Sequence, residues 1–336
     1  MTVDLPSGPA GENLDALATG AVRAPVGARE LIVASGADRV RFLHGIVTGN
    51  VAGAPVGGGC RSALLTPKGH IVADMHIFVR EDEIWIVVGP GVAATLAPAL
   101  ARYAIMDDFA AAPRAEFASF GFFGPAASER LAAAGIDAGD LAARPPLSHA
   151  DVDVPGIGRL WVVRVRELGA DGFWLAGDPA AVAAADARLA AAGAGNLGPA
   201  LAEAARIAAG EPKEGAEITA DYFPMEVGLD GAIDYKKGCY LGQEPIVRIR
   251  DRGHINWRLV GLEIDDPRDP AAQDPIESDV KPKAGRVTSA ARLPGGRGVA
   301  LALLHVSVPE GSLVRVKHGD DLIPARVRVL DSARAT

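Results

Sequence analysis

The sequence predicts an α+β protein of more than one domain, with antiparallel or mixed sheets packed by helices and a small antiparallel β-barrel at its C-terminal end. Three observations predict it. Up to residue 255, β-rich segments separated by polar turns alternate with helical ones. No G-x-G-x-x-G joins a strand to a helix, so a doubly wound parallel sheet is not expected. From residue 256 the texture changes to short strands with no long helix between them. At 336 residues, 49% of them apolar, the chain is long enough to bury two or three sizeable cores.

In order along the chain, residues 1–25 open acidic and Gly/Pro-rich (MTVDLPSGPAGEN) and read as a flexible tail. RELIVASG (29–36) is a β-branched run ending in glycine, a strand. ADRVRFLHGIVTGNV then sets Val40, Leu43 and Val47 at helical spacing. SALLTPKGHIVADMHIFVREDEIWIVVGP reads as a hairpin-rich sheet, with Pro67-Lys68-Gly69 at one turn and Glu81-Asp82-Glu83 at the next. FASFGFFG leads into the helix PAASERLAAAG, and RLWVVRVREL with GFWLAG leads into PAAVAAADARLAAAG. WRLVGLEI, GRVTSAARL, GVALALLHV and SLVRVKHG supply the barrel, around a long Pro/Asp-rich surface loop at 265–285. The expected domains are therefore a tail over 1–25, an α+β region over 26–255 divisible into two subdomains, and a barrel over 256–336.

Composition removes several function classes. A formal net charge of −8 argues against nucleic-acid binding, and the apolar runs fall well short of the ~20 residues of a membrane span. With no basic-then-apolar leader pattern, the expectation is a cytoplasmic protein, and a monomer. The two cysteines, Cys60 and Cys239, show no C-x-x-C or Cys/His spacing, so neither a structural disulfide nor a permanently bound metal is expected. DMH (74–76) offers too few ligands for a metal.

One window stands out. KKGCYLGQEPIVRIR (236–250) opens a stretch to Arg258 with six Lys/Arg against Glu244 and Asp251. A solvated face is the ordinary reading of such a run, and a socket for an anionic ligand the functional one. Gly238 gives the backbone before Cys239 freedom to form an exposed turn. A helix beginning near Gly242–Pro245 would bring its N-terminus close to the sulfur, and Lys236 and Lys237 would add positive potential. Together these favour a reactive thiolate, against the ordinary alternative of a small buried apolar side chain.

KGCYLGQE resembles the K-G-C-[FY]-x-G-Q-E signature of the YgfZ family, folate-binding proteins of the glycine-cleavage T-protein (aminomethyltransferase) superfamily. The likeness extends over roughly residues 30 to 325. VASGADRVRFLHGIVTGNV, LLTPKGHIVADMHIF, ARIAAGEPKEGAEITADYFPMEVGLD and KAGRVTSAA are similar to that superfamily's successive motifs. The resemblance implies a T-protein-like fold around a tetrahydrofolate pocket, and a role in assembly or repair of iron–sulfur proteins, which would be transient partners. It implies that Cys239 is the central residue, within a motif of Lys237, Gly238, Tyr240, Gly242, Gln243 and Glu244. Asp74 matches the carboxylate that contacts the pterin, where it would accept a paired amino and ring N–H and support catalysis. Glu226 is a weaker candidate for the same pocket, and Arg250 and Arg252 for the anionic folate tail. The chain departs from the pattern at His44, Gly49 and Ala73, and the loss of the first Asp of an Asp-Asp pair weakens the alternative function, a tetrahydrofolate-dependent aminomethyl or one-carbon transferase or demethylase.

Overall fold

The structure, a computed structural model, describes residues 14–330. It runs α1 (Leu14–Thr19), β1 (Val22–Ala24), β2 (Glu30–Ser35), α2 (Arg39–Ile46), β3 (Gly58–Leu65), β4 (Ile71–Val79), β5 (Ile84–Val88), α3 (Ala93–Tyr103), β6 (Ala110–Arg114) and β7 (Ala118–Phe123). There follow α4 (Ala127–Ala133), β8 (His149–Val154), β9 (Gly158–Glu167), β10 (Ala170–Gly177), α5 (Pro179–Ala191), β11 (Gly195–Asn196), α6 (Pro199–Ala209) and α7 (Gln243–Arg252). The last part adds β12 (Trp257–Ile264), β13 (Pro275–Glu277), β14 (Gly285–Arg292), β15 (Gly298–His305), β16 (Leu313–His318) and β17 (Asp321–Arg328).

These form two sheets and a barrel, the expected α+β class. One sheet has the order β11-β1-β7-β10-β9-β8 and the other β3-β4-β5-β2-β6, while β12-β15-β14-β13-β16-β17 close on themselves. Apart from the parallel pair β1–β11, the sheets and barrel pair antiparallel. Alternation decides which side chains point where. On β4, Ala73, Met75 and Ile77 pack under α2 and α3, so Asp74, His76 and Phe78 face the first sheet. That sheet carries α4 and α5 on its outer face through Leu131, Val182 and Leu189. Between the sheets lies an aromatic layer: Trp161 stands edge-on to Phe78 at 4.8 Å and to Trp85 at 4.9 Å. Rings of this size bury ~200 Å² each, roughly 5 kcal/mol apiece before entropy is subtracted.

Two expectations change. The tail reading fails from residue 14 onward: α1 forms, and Val22 and Ala24 are fully buried where β1 fills the gap between β7 and β11. Arg23 between them is held in the interior by Asp186, 2.8 Å away. The remaining tail residues, 1–13, lie outside the described ones. The 265–285 segment is not all loop, because Pro275–Glu277 becomes β13, paired with β14 and β16, and the barrel closes through it. Among the described residues no helix is long and apolar enough to cross a membrane.

Candidate functional site

A cavity of about 620 Å³ lies where the two sheets part, closed on a third side by α6 and the segment that follows it. Its walls are partly apolar, including Val87, Leu168, Trp174 and Ile218. Charged groups converge on it from separate elements: Arg61 from β3, Asp74 and His76 from β4, Glu167 from β9, and Glu203 and Arg206 from α6.

Arg61 and Asp74 form a two-pronged pair, Nε to Oδ1 at 3.1 Å and Nη2 to Oδ2 at 2.8 Å. Burial pushes the Asp74 carboxyl up, but the Arg61 guanidinium outweighs it and holds the group below the usual aspartate range. Burial and then the charge of Arg61 push His76 down to about 3, so it is a neutral imidazole standing edge-on to Trp174. On the opposite wall Arg29 lies 3.9 Å over the Trp174 ring and donates to both Glu167 oxygens, at 2.7 and 2.9 Å. The Trp174 indole N–H donates to the same carboxylate at 2.9 Å. Arg206 holds Glu203 through Nε and Nη2, at 3.0 and 2.8 Å, and reaches Ser289 of the barrel at 2.8 Å. It also meets Glu217, a fully buried carboxylate that accepts the Ser289 hydroxyl at 2.7 Å. The cavity wall is thereby tied to β14.

Two carboxyls here exchange their protons near physiological pH. Burial, then the charge of Glu167, pushes Glu211 up to about 7. Burial, then the charge of Asp74, pushes Glu214 up to about 7 as well.

Cys239 lies elsewhere, exposed on the loop that enters α7. The loop is tightly built. Asp234 accepts the backbone N–H groups of Lys236 and Lys237 at 2.7 and 3.1 Å, and the Gln243 amide donates across the turn to the Gly238 carbonyl at 3.5 Å. Gly242, at φ +78°, lets the turn settle on the β3–β4 hairpin: a Cβ there would stand 2.4 Å from the Thr66 carbonyl oxygen. Glu244 is exposed in the first turn of α7, and Tyr240 is buried beneath the loop.

Lys237 departs from expectation. Its Nζ donates to the carbonyls of His44, Val47 and Gly49 at the end of α2, the latter two at 2.7 and 2.9 Å. Burial pushes it down to about 8. Its charge thus closes a helix end instead of standing free beside the thiol, while Lys236 remains exposed. Lys237 also lies within electrostatic reach of Cys60, whose thiol burial pushes up to about 12. Cys60 lines a second, more open cavity of about 540 Å³ with Asn50, Asp234 and Tyr235, and this cavity shares Arg61 and Leu147 with the first.

Of the candidate residues read from the sequence, Asp74 alone lines the central cavity. Glu226 does not: its buried carboxylate accepts the backbone N–H groups of Phe223, Asn256 and Trp257, each at 3.2 Å, pinning the start of β12. Arg250 pairs with its neighbour Asp251 on the exposed side of α7, and Arg252 is exposed beyond it; neither borders the cavity. The cations at the cavity's edge are instead Arg166 and the exposed Lys213. Arg29, Arg61, Glu211 and Glu214 were missed. Glu211 and Glu214 sit in EPKEG, within a stretch read only for its likeness to a superfamily motif, and Arg61 needed the strand register. Among the described residues no three His, Cys, Asp or Glu side chains come together as a metal site.

Comparison with known proteins gives the following. Residues 16–237 match the GCVT N-terminal domain family. A chloroplast protein of Arabidopsis thaliana, named as a transferase, is 28% identical over 281 residues, 83% of this chain and 63% of its own. The tRNA-modifying protein YgfZ of Yersinia pseudotuberculosis is 25% identical over 292 residues, 85% of each chain. A mitochondrial iron–sulfur cluster assembly factor IBA57 homolog of Neurospora crassa is 26% identical over 295 residues, 81% of this chain and 62% of its own. This chain thus spans under two thirds of the plant and fungal relatives. The crystal structure of the glycine cleavage system aminomethyltransferase T from Bartonella henselae shares the fold: its TM-score is 0.81 at 22% identity, covering 93% of this chain and 86% of that one.

Proposed function

This chain belongs to the GCVT N-terminal domain family and stands with its YgfZ proteins, and we propose that it binds a reduced folate in the central cavity and serves iron–sulfur protein assembly or repair through Cys239. The observation that carries the reading is the pairing, in one chain, of a charged cavity between the sheets with an exposed cysteine on a hydrogen-bonded turn. The cavity's volume lies within the ~300–1,000 Å³ typical of small-molecule sites. Its residues fit a folate: an aromatic wall at Trp174, carboxylates for an N–H-rich ring, and Arg166 and Lys213 at the edge for an anionic tail.

When bound, a reduced folate supplies a one-carbon-carrying, redox-active pterin. The chain's own residues bind and enclose it. Asp74 stays ionised against Arg61, while Glu211 and Glu214, raised to about 7, pass between the protonated and ionised forms near neutral pH. Cys239, outside the cavity and exposed, is open to a macromolecular client. The alternative reading, a one-carbon transferase, asks Asp74 to take a proton from the folate amine. The salt bridge to Arg61 opposes that.

The test is genetic. In cells lacking this protein, the native chain restores the activities of iron–sulfur enzymes and Cys239→Ser, equally abundant and folded, does not. Full restoration by Cys239→Ser overturns the role of the thiol.

A further inference from the structure

Five carboxyl groups line the central cavity, and four of them already have donors. Asp74 takes Arg61, Glu167 takes Arg29 and the Trp174 indole, Glu203 takes Arg206 and Lys213, and Glu211 takes the backbone N–H of Gly169 at 3.1 Å. Glu214 has no hydrogen bond or ion pair among the described residues. It is half-buried and held in place: Gly215 N–H donates to the Ile218 carbonyl at 3.0 Å, and the end of β5 is so close that a Cβ on Gly89 would stand 2.9 Å from the Glu214 Cβ. A half-buried carboxyl with no protein donor, facing a cavity, has its acceptor positions free for the donors of a ligand.

We propose that Glu214, and not Asp74, is the carboxylate that receives the N–H edge of the ligand, taking the exocyclic amino group and adjacent ring N–H of a 2-amino-4-oxo pteridine as two parallel donors. The assignment rests on the folate reading above and changes which residue does the reading. Asp74 has both oxygens committed to a guanidinium of the same geometry as that edge, so a pterin would have to displace Arg61 from a buried pair. Glu214 offers the same two-point acceptor with nothing to displace.

The experiment measures Kd at pH 8, where Glu214 is ionised, for 5-formyltetrahydrofolate and for its analogue with methyl in place of the 2-amino group. Trp174, in the cavity wall, makes tryptophan fluorescence the readout. Native chain, Glu214→Ala and the near-isosteric Glu214→Gln are compared, with circular dichroism and melting to confirm folding. Charged hydrogen bonds of this kind correspond to about tenfold or more in affinity. Glu214→Ala should therefore weaken the parent ligand by at least about tenfold, with Glu214→Gln also weaker than native, and should weaken the analogue, which keeps the ring N–H but lacks the amino donor, by a clearly smaller factor. Equal parent affinity in native and variant chains overturns the assignment and leaves the folate reading standing. Equal loss for both ligands also overturns it, since that is a structural effect. A native chain that binds no parent ligand removes the folate reading and the assignment together.

Discussion

Replacing Arg61 with alanine would leave Asp74 walled in on β4 without its counter-charge. The two side chains are 14% and 12% exposed, so solvent does little to replace the lost partner. Removing one half of such a buried pair costs about 3–5 kcal/mol, a large share of the ~5–15 kcal/mol that holds a domain together. The sign of the pH dependence follows from the shift. In the native chain the Asp74 pKa is depressed, so its contribution is present above the unfolded aspartate value and lost as pH falls through the folded one. In Arg61→Ala burial is opposed only by His76 and the Met75 backbone N–H and that pKa rises, so the penalty is greatest at alkaline pH and shrinks as Asp74 takes up a proton. Urea denaturation at pH 8 and pH 5 should show the difference between native and variant chains falling at the lower pH. Arg61→Ala/Asp74→Ala should recover most of the loss. A penalty equal at both pH values, or a double variant as unstable as the sum of the single ones, would refute the reasoning.

Three further outcomes follow from the same geometry. Glu226→Ala removes the acceptor of three backbone N–H groups and should cost about 2–3 kcal/mol in urea denaturation, with folate affinity unchanged in the folded protein. Lys237→Met uncaps the end of α2; a loss of about 1–3 kcal/mol is expected, and Cys239 should alkylate faster as its loop loosens, measured with a maleimide. Glu211 has a raised folded pKa, so its protonated form stabilises the fold at low pH and this support is lost as pH rises toward 7. Glu211→Gln should therefore melt higher than native at pH 8 and show no such gain at pH 5.

The barrel could be read from the sequence because its strands alternate cleanly: on β17, Ile323, Ala325 and Val327 point inward between exposed neighbours. β1 could not. VRA is too short to carry a period, and its burial comes from distant partners, Gly121 lying 97 residues beyond Ala24 and Gly195 lying 173 beyond Val22. Asp74 was legible through the likeness of GHIVAD to the superfamily's hairpin motif, but Arg61 was not. Counting back from the Pro67-Lys68-Gly69 turn in unbroken register puts Arg61 on the face opposite Asp74. A register shift between Leu64 and Leu65 moves β3 by one residue, so Ala63 opposes Asp74 and Arg61 becomes its diagonal neighbour on the same face. Lys237 shows a similar limit. Adjacency in sequence assigned its charge to Cys239, whereas a flexible four-carbon side chain went to the carbonyls of a helix nearly two hundred residues earlier.

The central claim is that the cavity between the sheets holds a reduced folate, independently of the cysteine. The most direct test is equilibrium titration of the native chain and Cys239→Ala with 5-formyltetrahydrofolate, followed by tryptophan fluorescence. The account predicts saturable one-to-one binding with the same Kd for both chains and a quench that disappears in Trp174→Phe. Absence of saturable binding to the native chain, or binding that is lost with Cys239, would contradict it.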